Sequence, residues 1–278
     1  MFQHFLITRF NLRQPDWTTT KSHSRVLDDA WLDHRFALFE RFCLPSVAAQ
    51  HCGDFRWLVY FDTDTSEAWR ARIARCRERC PQLEPVFVEG MAAFLPDVQQ
   101  RLAASAENWV MSSRLDNDDC LHPGHIALLQ QAFQAQPYLL LDLVDGYTLE
   151  IQPRHRLGRA LDPCNPFVTL IERNQAPRSV WHRSHGSWKR EPRVQRIRGQ
   201  RSWLSVIHAQ NKTNEFQGYG DVAAAEVADF FPDPAVQSEV LAGLEPVARW
   251  RWRSLANRVQ SRLGLAGLLL KRRLGIYG

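Results

Sequence analysis

The sequence predicts an α/β fold built on a mostly parallel sheet flanked by helices. Short apolar runs alternate with helix-period segments through the first half of the chain. That order lays strands side by side and carries helices across both faces. The early strands also end on polar residues, at Arg9, at Asp62 and at the acidic cluster that begins with Asp116. Ligands of such sheets bind beyond the carboxyl ends of the strands. These three ends therefore mark one candidate edge.

Taken in order, Phe5 to Thr8 reads as the first strand, and the polar segment from Asn11 to Ser24 as a loop. Trp31, Leu32, Phe36, Phe39 and Phe42 recur at helical spacing and predict a helix from about Asp28 to Ala49. Phe55 to Phe61 is a second strand. Ser66 is placed to cap an Arg-rich helix that runs to Cys80 and stops at Pro81. Leu83 to Val88 is a third strand, and Asp97 to Ala106 a helix leading to the strand at Trp109. Beyond the acids, His122-Pro123-Gly124 opens a helix through Ala135. Tyr138 to Leu143 and Tyr147 to Ile151 read as two strands around a turn at Asp145-Gly146. Phe167 to Ile171, ending at Glu172, and Trp203 to His208 complete the strands. Arg178 to Arg201 has no clear period. Ala223 to Phe231 is a short helix, Pro232 and Pro234 mark a boundary, and the remainder is helical and basic. The expected organisation is one domain over residues 1–234, in two halves, 1–120 and 121–234. A basic amphipathic tail over 235–278 follows.

At 278 residues with 45% hydrophobic content, the chain has ample material for a core. Its net charge of +5, Arg-rich and concentrated late in the chain, favours anionic partners but is too weak and too unevenly spread for nucleic acid. None of the six cysteines forms a Cys-x-x-Cys pair, so reduced thiols in a cytoplasmic protein are expected. Met1 to Phe10 lacks the pattern of a secretion signal, and no apolar run is long enough to span a bilayer.

Asp116, Asp118 and Asp119 lie within four positions, with Arg114 just before them. Carboxylates so close repel unless a cation sits among them. Hard oxygen ligands suit Mg²⁺ or Mn²⁺, which keep waters and share a substrate phosphate. A solvated acidic turn is the alternative.

The arrangement resembles GT-A nucleotide-sugar glycosyltransferases, with Asp116-Asn117-Asp118 as the Asp-x-Asp motif. More narrowly, it is similar to the bacterial putative rhamnosyltransferase family. Four blocks carry that likeness: Phe36-x-x-Phe39-Glu40-Arg41-Phe42-Cys43-Leu44-Pro45-Ser46, Trp57-Leu58-Val59-x-Phe61-Asp62, Arg114 to Asp119, and Trp203-Leu204-x-Val206-x-His208. The resemblance covers roughly residues 1 to 220 and implies sugar transfer from a nucleoside-diphosphate donor (a dTDP-, UDP- or GDP-sugar) to a saccharide or lipid-linked acceptor. L-Rhamnose is the sugar the family name suggests. It further implies Asp116, Asp118 and His208 as metal ligands, Asp116 also near the ribose, and Asp62 near the nucleobase. Arg9 and Arg114 are of a type that grips phosphates bidentately. The acceptor hydroxyl needs a base, for which Glu172 and His185 are expected first, then Asp119 and Asp145. Trp181, Trp188 and Trp203 are candidates to stack on sugar rings.

Tyr60-Phe61-Asp62-Thr63-Asp64-Thr65 also resembles the nucleophile motif of haloacid-dehalogenase phosphatases, with Asp118-Asp119 as the later acid pair. That enzyme needs a Lys between the two motifs, and none lies there. A sugar- or nucleotide-binding module without catalysis is the third reading, but it would not require clustered acids. The tail interleaves Arg and Trp from Arg249 to Arg253 ahead of Leu268-Leu269-Leu270 and Lys271-Arg272-Arg273. This composition suits peripheral contact with an anionic membrane.

Overall fold

The computed structural model describes residues 1–14, 27–211 and 215–276. Most of the loop expected between Asn11 and Ser24, and Lys212, lie outside them. Seven strands form the main sheet: β1 (Phe2–Arg9), β2 (Arg56–Asp62), β3 (Leu83–Val88), β4 (Trp109–Arg114), β6 (Tyr138–Leu143), β9 (Thr169–Arg173) and β10 (Val194–Ile197). Their spatial order is β10-β6-β9-β4-β1-β2-β3. All neighbours are parallel except those of β9, which runs against both β4 and β6. The expected mostly parallel α/β sheet is what forms.

Period-two alternation loads both faces. Leu6, Trp57, Val59, Phe61 and Met111 enter the core under α1 (Asp29–Leu38), α2 (Leu44–Ala48), α3 (Glu67–Arg79) and α5 (His125–Gln131). Phe5, Ile7, Leu58, Tyr60 and Val110 point to the opposite face, against α4 (Gly90–Ala103) and Trp181 and Trp188. The long first helix is not uniform, since Phe39–Cys43 between α1 and α2 is a π-helical turn. Ser66 stands at the start of α3 but makes no side-chain cap. The next helix begins at Gly90, earlier than Pro96 suggests, because Gly90 takes φ +64° and Met91 donates to the Arg13 carbonyl.

A second sheet has the order β5-β11-β7-β8, from β5 (Cys120–Leu121), β7 (Asp145–Glu150), β8 (Arg156–Leu161) and β11 (Trp203–Ile207). The pair expected around Asp145-Gly146 is therefore not a hairpin, for β6 and β7 belong to different sheets and the chain changes sheet at Val144. Gly146 is there for packing. A Cβ on it would lie 2.2 Å from the Trp203 ring. Helices α6 (Ala224–Val227), α7 (Pro234–Ala242) and α8 (Arg251–Arg273) follow, and Phe230 and Val240 close the apolar cluster on this sheet.

Candidate active site

The loop from Leu115 to Asp119 joins β4 of the main sheet to β5 of the second. β5 pairs with β11, so the end of β11 lies beside the same loop. That is how His208 arrives next to Asp118 from 90 residues away. Its Nε2 lies 2.8 Å from Asp118 Oδ2. The Gln210 N–H donates to His208 Nδ1, which leaves the ring proton on Nε2, donated to Asp118. The same carboxylate oxygen accepts from Arg35 Nη1 at 2.9 Å and Asn211 Nδ2 at 3.3 Å. Burial opposes ionisation of Asp118, but Arg35 and His208 outweigh it and hold its pKa near 2. Asn117 ties the loop to the end of β1 by donating to the Arg9 carbonyl at 3.1 Å.

Next to this acid is a positive pair. The Arg114 guanidinium stacks over Trp181 at 3.8 Å and that of Arg9 at 4.3 Å. Burial pushes Arg114 down to about 10, opposed by Asp116 and assisted by Arg9. Arg9 is lowered by burial in the same way, with Asp116 opposing. Two guanidiniums thus face one open carboxylate, and Nε of Arg114 and of Arg35 have no hydrogen-bond partner among the described residues. A cation excess at least partly withdrawn from water, with unpartnered donors, suits an anion.

These side chains line a cavity of about 320 Å³ that includes Arg9, Arg35, Arg114, Asp116, Asp118 and His185. A second cavity, of about 240 Å³, shares Pro166 and His185 with it and is walled by Asp162, Phe167, Trp203 and Ser205. His185 stands where the two meet. Its Nδ1 is 3.2 Å from the Cys164 carbonyl, an acceptor only, so Nδ1 carries the proton and Nε2 keeps its lone pair. Burial, then the nearby Arg114 charge, lowers the His185 pKa, which favours the neutral ring.

Several expected residues lie elsewhere. Glu172 is at the far edge. β9 is antiparallel, so its end pairs with Val110 near the start of β4, and its carboxylate accepts from the Arg178 and Ser179 N–H groups. Asp119 is turned away from the cavity and buried, its Oδ1 accepting from Val206 N at 2.8 Å. Burial, then the charges of Asp118 and Asp116, raises its pKa well above the carboxylate range. Asp62 does not line the cavity. Although burial opposes it, the Arg13 and Asp64 N–H groups and the Arg13 guanidinium hold it ionised. Such a clamped carboxylate is no open phosphatase nucleophile. Asp145 is engaged by Arg198, Gly199 and Arg201. Trp181 stacks on arginines, Trp188 is fully buried, and Trp203 packs on Phe167 at 4.9 Å while lining the second cavity.

Sequence reasoning missed Arg35 and Asp162. Arg35 had a signal, for it sits four residues from Trp31 and from Phe39, on the apolar stripe of the helix, where a charge needs a buried partner. Asp162 follows β8, which no period announced. Among the described residues, no three His, Cys, Asp or Glu side chains stand close enough to hold a metal. All six cysteines are free. No helix among the described residues is long and apolar enough to cross a membrane.

Comparison with solved structures gives weak likenesses. A Staphylococcus aureus TarS fragment, residues 1–349, matches at 10% identity over 73% of this chain and 60% of that one, with a TM-score of 0.40. A longer TarS structure matches at 10% identity over 87% and 42%, TM-score 0.39. The inositol-1-phosphate CTP transferase of T. maritima matches at 10% identity over 88% and 98%, TM-score 0.37. This chain thus spans about 60% of the first TarS structure and less than half of the second. No curated protein matches. A family model, by contrast, described as putative rhamnosyl transferase, matches residues 3–219. Its span takes in the main sheet from Gln3 onward, the acid loop and every residue lining the two cavities except Ser261, and the chain belongs to the putative rhamnosyl transferase family, a family of glycosyltransferases.

Proposed function

We propose that the protein transfers a sugar, L-rhamnose being the family's own suggestion, from a nucleoside-diphosphate donor to a saccharide or lipid-linked acceptor. The observation that carries this reading is the paired guanidiniums of Arg9 and Arg114, held over Trp181 in a cavity that also presents Asp116 and Asp118. The first cavity takes the donor, with its diphosphate on the arginines. The second, built largely from residues 145–217, takes the acceptor. On this reading residues 1–120 form the donor half and 121–234 the acceptor half.

His185 at the junction is the base. The acceptor hydroxyl oxygen bonds to the anomeric carbon, the bond from that carbon to the diphosphate oxygen breaks, and the nucleoside diphosphate leaves with the electron pair. The hydroxyl proton passes to His185 Nε2. Arg9 and Arg114 stabilise charge as it grows on the leaving group.

The acids fit Mg²⁺ or Mn²⁺ in a limited way. Asp116 opens to the cavity, whereas Asp118 Oδ2 already accepts from Arg35, His208 and Asn211. Asp116 and the remaining oxygen of Asp118 would hold a cation shared with water and the diphosphate, and such a cation supplies Lewis-acid neutralisation of the leaving group. His208, with both nitrogens engaged, positions Asp118.

The test is thermal stabilisation by dTDP, UDP and GDP, each with and without Mn²⁺, on the wild type and on Arg114→Ala. A ligand that binds only the folded protein raises Tm. A nucleotide-dependent rise that Arg114→Ala abolishes is expected. No rise with any nucleotide overturns the donor site.

A further inference from the structure

Nine large hydrophobic side chains are exposed among the described residues, and eight of them lie between Trp252 and Ile276. The rest of the surface formed by the described residues is free of such patches, so this one calls for an explanation. It lies on α8 and the residues just after it, and the two sides of α8 differ. Ser254, Asn257, Ser261 and Leu265, spaced three and four apart, face the domain. Ser254 Oγ accepts from Gly220 N at 2.8 Å, Asn257 Nδ2 donates to the Gly218 carbonyl at 2.9 Å, and Leu265 packs with Val144, Leu161 and Tyr219. Arg272 donates to the Glu191 carbonyl and fixes the far end. The helix is therefore anchored along its length, and its outer side is determined.

That outer side carries Trp252, Leu255, Val259, Leu263 and Leu270, again at spacings of three, four and seven. The 23 residues of α8 include seven Lys or Arg and no Asp or Glu. A second copy of the same helix would bring cation against cation, so self-pairing through this face is disfavoured. An anionic, apolar and extended partner meets both requirements.

We infer that the outer face of α8 seats the protein on an anionic lipid bilayer. Trp252 and the aliphatic stripe enter the headgroup boundary, and the flanking arginines meet lipid phosphates. The inner face holds Ser261, which lines the second cavity. Resting on the proposed function, this orientation makes a membrane-anchored saccharide the acceptor class, delivered alongside the helix.

The experiment is co-sedimentation of the full chain with vesicles of phosphatidylcholine plus phosphatidylglycerol, and with phosphatidylcholine alone. It is repeated with the triple variant Trp252→Ser, Leu255→Ser, Leu263→Ser, whose sites are all exposed. The wild type should partition onto the mixed vesicles, fall off with added salt, and bind pure phosphatidylcholine far less. The variant should bind the mixed vesicles roughly tenfold less or weaker. Equal binding by wild type and variant overturns the inference, as does no binding to the mixed vesicles. A dimer in sedimentation velocity that the variant abolishes also overturns it, since a second copy would then cover the face. Nucleotide-induced stabilisation, measured on the same samples, reports the donor site separately: its retention in the variant shows an intact fold, and its absence in the wild type counts against the proposed function alone.

Discussion

Two strand ends on the same sheet edge carry aspartates, and they have opposite surroundings. At the end of β2, Asp62 has its own partners: two backbone N–H groups and the Arg13 guanidinium. Beyond β4, the acids face three arginines, Arg9, Arg35 and Arg114, the last two of them buried. The first set is complete in itself and fixes the segment after β1. The second is left with unpartnered guanidinium donors. Position at a strand end brings a residue to the site edge, but the local charge count decides whether it is available to a ligand.

Asp118→Ala should have the largest effect. It leaves Arg35 and His208 buried without their acceptor, at a cost of about 3–5 kcal/mol, read as the urea midpoint at constant slope, and it should abolish transfer. The pH dependence follows from the same ion pair. A folded-state pKa near 2, against about 3.9 unfolded, stabilises the fold above pH 4 and is lost as pH falls toward 2. In Asp118→Ala that acid limb should flatten; an unchanged limb would mean that other acids dominate it.

His185→Gln comes next, with kcat reduced about 10²–10⁴-fold and the donor KM little changed. In the wild type the rate should fall as pH drops through a value below the ordinary imidazole pKa, because only the neutral ring accepts a proton. A full-rate His185→Gln would move the role to Asp162. Arg114→Ala should weaken nucleoside-diphosphate binding by about 1.5–3 kcal/mol, measured by titration calorimetry. Asp62→Asn should lower Tm by about 2–4 °C while nucleotide affinity stays near wild type. If Asp62→Asn instead costs as much affinity as Arg114→Ala, the contrast between the two strand ends fails. Smallest of all, Glu172→Gln should leave turnover near wild type in the same assay.

The parallel half of the sheet was legible because apolar runs, helix periods and polar strand ends all agree there. Arg9, Arg114, Asp116 and Asp118 could be brought together from strand order alone. What escaped was direction and sheet membership. Nothing in Phe167 to Glu172 distinguishes an antiparallel strand from a parallel one, so the sequence does not show that Glu172 lies away from the site edge. Asp145-Gly146 reads as a turn, yet the glycine makes room for Trp203, a contact 57 positions away. β8 and β10 are too polar to show a period of two, and with β8 went Asp162. Asp119 shows a third kind of limit: two acids adjacent in sequence point to opposite sides of one loop, one into the cavity network and one into the second sheet.

The reversed β9 also says where this scaffold can vary. The chain reaches the site edge on entering that strand, through residues 162–166, and has left it by the exit, where Arg173 pairs with Trp109 and Asn174 donates to the Asn108 carbonyl. Length changes before β9 would remodel the wall shared by both cavities, whereas the turn at 174–177 lies a strand's length away. For those who would label or tether this protein, that turn is the place for the attachment. For relatives that modify other saccharides, the segment before β9 is where divergence should concentrate.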